Sequence, residues 1–273
     1  MIGDPGYGPA VPAFRIVGVI HLPPLPGSAR GPSARDLHGI LESVRRDAAA
    51  WTSGGANALI VENFGDVPFH KGAVGPETVA AMTLAVSLAG AESGLPVGVN
   101  VLRNDVEAAV AIAALAGGRF VRANVYAGAA VTDQGLIEGR ADAVQALIRR
   151  LDAEISVWAD VDVKHAAPLS SRPIGDLAED AVVRGLAGAV IVSGAGTGHA
   201  TSAGDLRAVR AALPGTPLYV GSGATATTLS SLLEIADGAI IGTAAKVDGN
   251  VRNAVDRDRV RALVAAAQVV TGR

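Results

Sequence analysis

Ten side chains able to bind ligand or move protons cluster at the ends of short apolar runs. His21 follows residues 15–20, and Glu62 and Asn63 follow residues 58–61. Asn100 ends a third run, Arg122 and Asn124 lie in a fourth, and Asp160, Asp162, Lys164 and His165 close a fifth. Asp160 and Asp162 alternate with Val161 and Val163, and Lys164 shares their parity. In a strand that spacing puts all three on one side. Histidine and carboxylates at such positions suit general acid–base work. A lysine flanked by carboxylates stays protonated and acts as an acid or charge stabiliser, the case local sequence favours. In an apolar pocket it would instead be neutral and form a Schiff base. Retro-aldol chemistry through Lys164 is the sharpest single version.

His21, Glu62, Asp160, Asp162 and Lys164 are therefore the expected catalytic residues. Asn63, Asn100, Arg122, Asn124 and His165 are expected to bind substrate. Each has a structural alternative. His21 could be a hydrogen-bonded rim residue. Glu62 could pair with Arg122 or Lys164. Asp160, Asp162 and Lys164 could form an ion-pair layer filling the interior. Lysine is scarce: among 23 Lys and Arg, only Lys71, Lys164 and Lys246 are lysines, and all three fall in strand-exit loops. His21, Glu62, Asp160 and His165 could converge on a divalent metal. No His-x-His pair supports this, so no metal site is assigned, and no motif implies a cofactor.

A second group is chemically different. An apolar run at 189–192 ends in Ser193, Gly194, Ala195, Gly196, Thr197 and Gly198. Shorter versions follow: Gly221, Ser222 and Gly223 after 218–220, and Gly242 and Thr243 after 238–241. Loops of small residues let backbone N–H groups approach an anion. Ser193, Gly194, Gly196, Thr197, Gly198, Gly221, Ser222, Gly223, Gly242 and Thr243 are therefore expected to hold a phosphate.

Positioning both groups requires a regular scaffold. Apolar, non-alternating runs at 15–20, 58–61, 97–101, 120–125, 155–161, 189–192, 218–220 and 239–241 read as strands buried on both faces, as in a parallel sheet. Helical patterns separate them, at 36–52, 76–92, from Asn104 or Asp105 to 117, and at 140–151, 174–184, 202–213 and 225–234. A last helix covers 255–270. Asp36 is expected to cap the first helix, and 126–139 and 164–171 read as loops. Eight strand–helix units in about 260 residues point to a single α/β domain, a (β/α)8 barrel over 14–273 behind a Gly/Pro-rich lead-in at 1–13. In that fold the strand exits share one mouth, the place for an active site. Pro23, Pro24 and Pro26 stand where a dinucleotide-binding Gly-x-Gly-x-x-Gly loop would begin, and no Walker loop is present.

Composition narrows the remainder. The chain has 273 residues, 49% of them apolar, with no cysteine, so neither disulfides nor thiolate zinc sites arise. A net charge of -3 without like-charge runs gives no reason to expect nucleic acid. No apolar stretch of about 18 residues or more predicts a membrane span. The N-terminus lacks a signal-peptide pattern. A cytoplasmic location and a homo-oligomer are expected.

The segment 17–28, VGVIHLPPLPGS, resembles the opening of the BtpA/SgcQ family of predicted TIM barrels. Further matching pieces are ALIVENFGD at 58–66, GVNVLRND at 98–105, FVRAN at 120–124, DVKHA at 162–166, VSGAGTG at 192–198, GSGAT at 221–225 and IGT at 241–243. The resemblance implies the barrel. One family branch is linked to photosystem I accumulation and another is encoded beside sugar-uptake genes, so it implies no particular reaction. The residues themselves point to an enzyme on a sugar phosphate or glycosyl phosphate, with acid–base, lyase or isomerase chemistry. The alternative is a non-catalytic assembly or regulatory factor with an anion-sensing site.

Overall fold

Inward and outward side chains alternate along the eight barrel strands, and the alternation closes into a cylinder. The structure is a computed structural model that describes residues 13–161, 166–169, 172–194 and 201–269. Eight parallel strands form a closed barrel in the order β1 (Ile16–His21), β2 (Ala58–Glu62), β3 (Val97–Asn100), β4 (Phe120–Ala123), β7 (Ser156–Val161), β9 (Ala189–Val192), β10 (Leu218–Val220) and β11 (Gly238–Ile241), which pairs back to β1. Helices α1 (Leu37–Gly54), α2 (Pro76–Ser93), α3 (Val106–Ala116), α4 (Ala141–Arg150), α5 (Ile174–Glu179), α6 (Ala203–Ala212), α7 (Leu229–Leu232) and α8 (Arg257–Gln268) intervene. The chain is a (β/α)8 barrel, as the eight apolar runs predict.

Two apolar layers result from the period of two. Ile16, Ile20, Leu59, Val61 and Val99 face the helices. Val17, Val19, Ala58, Ile60, Phe120, Trp158, Ile191, Tyr219 and Ile240 fill the interior. Phe120 stacks on Trp158 at 4.0 Å between ring centroids, and Trp158 on Tyr219 at 4.1 Å. Gly98 leaves room for this stack: a Cβ there would lie 2.1 Å from the Phe120 ring. The aromatic plug closes the interior below, so the next inward residue of each strand emerges at the mouth.

Local signals set several helix ends. The Asp105 side chain accepts from Ala108 N–H and caps α3; Ser202 caps α6 and Asp256 caps α8 in the same way. Gly55, in the left-handed region, ends α1. Asp36 precedes α1, but its side chain makes no capping bond, contrary to expectation.

Other boundaries also differ. The supposed loop 126–139 contains an antiparallel hairpin, β5 (Ala129–Thr132) and β6 (Gly135–Glu138). β5 also pairs with β8 (Ala166–Pro168), inside the supposed loop 164–171. The strands of this small sheet are three or four residues long and partly alanine, which gives no period to read. The helix expected over 174–184 passes into a π turn at Asp180–Arg184. The one expected over 225–234 shrinks to α7, because Thr225 N–H bonds the Thr228 hydroxyl and holds 225–228 as a turn. The lead-in at 1–12 lies outside the described residues. Among the described residues no helix is long and apolar enough to cross a membrane.

Candidate active site

Register brings the first chemical group together. His21 pairs with Glu62, and Glu62 with Asn100, so three inward side chains on β1, β2 and β3 share one level of the mouth. Arg122 and Asp160 stand two residues above Phe120 and Trp158 on β4 and β7, hence also inward. A cavity of about 580 Å³ opens there. His21, Glu62, Asn100, Arg122 and Asn124 line one side. Gly221, Ser222, Gly223, Gly242 and Thr243 line the other.

Glu62 is nearly buried. Asn100 Nδ2 donates to its Oε2 at 2.6 Å, which leaves the second carboxylate oxygen without a protein donor among the described residues. The pairing to Arg122 or Lys164 that sequence offered as an alternative is not made by Arg122, which goes to Asp160 instead. Its Nε donates to Oδ2 at 2.8 Å and Nη2 to Oδ1 at 2.9 Å. Asn124 Nδ2 donates to Oδ2 at 2.8 Å and the Ser193 hydroxyl to Oδ1 at 3.2 Å. The Asp160 side chain is 0% exposed and does not reach the cavity wall. Both oxygens of Asp160, expected as an acid–base group, are thus occupied by protein donors. Burial alone would lower the Arg122 pKa, but the charge and hydrogen bonds of Asp160, with Glu62 behind them, outweigh it and the net direction is upward.

Asn63, expected to bind substrate, is likewise bonded within the protein. Its amide donates to Asp66 at 3.0 Å, its Oδ1 accepts Leu102 N–H at 2.7 Å, and it does not line the cavity. Asp66 in turn accepts Leu25 N–H at 2.7 Å. Asn63 and Asp66 thus tie the proline loop after His21 and the loop after β3 to the end of β2. The His21 ring packs on Phe64 at 4.7 Å, and Gly242 gives it space: a Cβ there would lie 2.5 Å from His21 Cε1.

The small-residue loops divide. Gly221, Ser222, Gly223, Gly242 and Thr243 line the cavity. Ser193 and Gly194 do not. Ser193 joins the Asp160 network, and Gly194 N–H donates to Ser222 Oγ at 2.8 Å, so both of these expected phosphate ligands are bonded within the protein. Gly221 is held small by that support: an added Cβ would meet Ser193 Oγ at 2.3 Å and Ile191 Cγ2 at 2.5 Å. Gly221→Ala is expected to cost about 1–3 kcal/mol through overpacking, read from the urea midpoint. Asp162, Lys164, His165, Gly196, Thr197 and Gly198 lie outside the described residues.

Lys246 does not belong to this site. It is buried, and its Nζ donates to Asp47 of α1 at 2.8 Å. Among the described residues no group of three or more His, Asp or Glu is placed to hold a metal ion.

Sequence reasoning left out several residues of the cavity wall. Arg103, Phe64, Phe69, Thr225 to Thr227 and Arg259 all line it. Arg103 stood at a strand exit and was findable. Burial lowers its pKa, opposed by the charges of Asp160, Asp133 and Glu62 and assisted by Arg122. Asp133 sits in the β5–β6 turn, so the small sheet brings its tip within electrostatic range of the mouth. Thr225 to Thr227 were hidden in a helix that does not form. Arg259 had no signal, being one of several arginines on a polar helix face.

A family model described as the BtpA family matches residues 14–269. The Photosystem I biogenesis protein BtpA of Synechocystis sp. is 42% identical over 251 residues, covering 92% of this chain and 87% of that protein. An uncharacterised protein of Thermococcus kodakarensis is 44% identical over 253 residues, covering 93% and 95%. Among solved structures, orotidine 5'-phosphate decarboxylase from Pyrococcus horikoshii OT3 has the same fold at a TM-score of 0.55. It is 16% identical, with 94% of this chain and 100% of that one covered.

Proposed function

The chain belongs to the BtpA family, and we propose that it is an enzyme acting on a phosphorylated small molecule, a sugar phosphate or glycosyl phosphate, by acid–base chemistry at the barrel mouth. The observation that carries this reading is the two-sided cavity. One wall has His21, Glu62, Asn100, Arg103 and Arg122; the other is glycine, serine and threonine from the loops after β10 and β11. A substrate that spans it has its phosphate against the small residues and its reacting carbon or hydroxyl against the ionisable ones. Glu62 is the proton carrier, because it lines the cavity with one carboxylate oxygen held by Asn100 and the other without a protein donor among the described residues. His21 is the partner acid or base, held by Phe64 beside Gly242. Arg103 and Arg122 balance negative charge that develops on a substrate oxygen.

The test is turnover of a panel of sugar phosphates and glycosyl phosphates, followed by proton and phosphorus NMR. Glu62→Gln keeps the shape and the Asn100 contact but cannot carry a proton. It is expected to lower kcat about 100-fold or more with folding unchanged. Full activity in Glu62→Gln would remove Glu62 from the chemistry. A second reading, an assembly or regulatory factor with an anion sensor at this cavity, is favoured by the name of the Synechocystis relative. It expects saturable phosphate-ester binding with no turnover of any bound compound, and binding that is indifferent to Glu62→Gln.

A further inference from the structure

Helix α8 carries three arginines within five residues, Arg257, Arg259 and Arg261. Asp258 serves two of them: Arg257 Nε and Arg261 Nη1 each donate to its Oδ1 at 3.3 Å. Arg259 has no carboxylate partner and no side-chain hydrogen bond among the described residues. It is also the one of the three that lines the cavity. Ala262 and Leu263, three and four residues on, line it too, so one face of α8 forms this wall. The same cavity is lined by Thr225 to Thr227 and by Gly242, Thr243 and Ala244.

The charge pattern is uneven. Elsewhere in the cavity Arg122 is paired with Asp160, and the charge of Glu62 reaches Arg103. Beside α8, among the described residues, no carboxylate lines the cavity, and the one ionised group is Arg259. A guanidinium left without a counter-ion, facing hydroxyls and glycine backbone, matches the fork that binds two oxygens of a phosphate at once. We infer that Arg259 is the specificity-determining cation for a terminal phosphate monoester, entering from α8 against the loops after β10 and β11. This rests on the phosphorylated-substrate reading above and adds its missing positive charge. The loops supply neutral donors, and Arg259 makes the site prefer a dianion to a neutral hydroxymethyl end.

Inorganic phosphate is the probe, titrated by calorimetry at fixed ionic strength into the full chain and into Arg259→Gln, Arg259→Lys and Arg261→Gln. Saturable binding by the unmodified chain is expected, weakened about tenfold or more in Arg259→Gln and partly retained in Arg259→Lys. Arg261→Gln makes the same charge change on the same helix but keeps its distance from the cavity, and is expected to bind as the unmodified chain. Equal binding by Arg259→Gln and the unmodified chain would overturn the role of Arg259 and leave the phosphate reading standing. Equal weakening in Arg259→Gln and Arg261→Gln would also overturn it, as a diffuse charge effect. If the unmodified chain binds no phosphate, the phosphorylated-substrate reading falls and this inference with it.

Discussion

Asp160→Ala is expected to lower the free energy of unfolding by about 3–5 kcal/mol, with the urea midpoint falling and the slope unchanged. The size follows from what would be left behind. Arg122 is 7% exposed at its side chain and makes two charge-assisted bonds to Asp160. Asn124 and Ser193 also direct donors at the same carboxylate. Removing it strands a buried guanidinium and two further donors, and a stranded buried charge costs far more than the intact pair contributes. Domains of ordinary stability have about 5–15 kcal/mol in total, so the variant would be marginal. The double change Asp160→Ala with Arg122→Met separates the explanations. Taking away the orphaned charge should restore a large part of the loss, giving a coupling well outside additivity. If the two losses simply add, Arg122 and Asp160 do not depend on one another as drawn. The same network bears on the site: Asp160 holds Arg122 and Asn124 at the cavity wall, so its removal should disorder the reacting side even where the barrel survives.

The part of this arrangement that could be read beforehand is the part governed by a strict period. Counting in twos from the apolar residues of each strand brings His21, Glu62, Asn100, Arg122 and Asp160 to the mouth, because a parallel barrel strand has no other way to point them. What a side chain does once there depends on partners from other strands, and no spacing encodes that. Glu62 and Asn63 are neighbours at the same exit. One faces the cavity and the other is turned into its own loop by Asp66, a contact three residues away that reads in sequence as ordinary loop polarity. Asp160 looks as reactive as Glu62 until Arg122 is seen across the interior. The small sheet of β5, β6 and β8 was hidden for a different reason. Its pairing joins residues 129–132 to 166–168 with α4 and the barrel strand β7 between, and its strands are too short for alternation to show.

Lys246→Met is expected to cost about 3–5 kcal/mol, and the reason corrects a reading that scarcity encouraged. With few lysines in the chain, one in a strand-exit loop looks like a candidate for chemistry. The Lys246 side chain is 2% exposed and its ammonium donates to Asp47 in α1 at 2.8 Å. Asp47 also accepts Val255 N–H at 3.2 Å through its other oxygen. The pair therefore clamps three pieces that are distant in sequence: α1, the turn after β11 and the approach to α8. Methionine fills the volume of the lysine stem but leaves the buried Asp47 carboxylate with Val255 N–H and the exposed Arg46 guanidinium, both on Oδ1, and nothing on Oδ2 in place of the buried ammonium. Adding Asp47→Leu should recover part of the loss by removing the stranded charge. It should not recover all of it, since Val255 N–H then has no acceptor, a deficit of about 1–3 kcal/mol. The ordering expected from chemical denaturation is the unmodified chain first, the double variant next and Lys246→Met last. A Lys246→Met chain as stable as the parent would show that the pair is not the clamp. Because Lys246 does not line the cavity, phosphate binding measured below the onset of unfolding should be unchanged in the same variant. That separates the lysine that holds the barrel together from the groups that line the cavity.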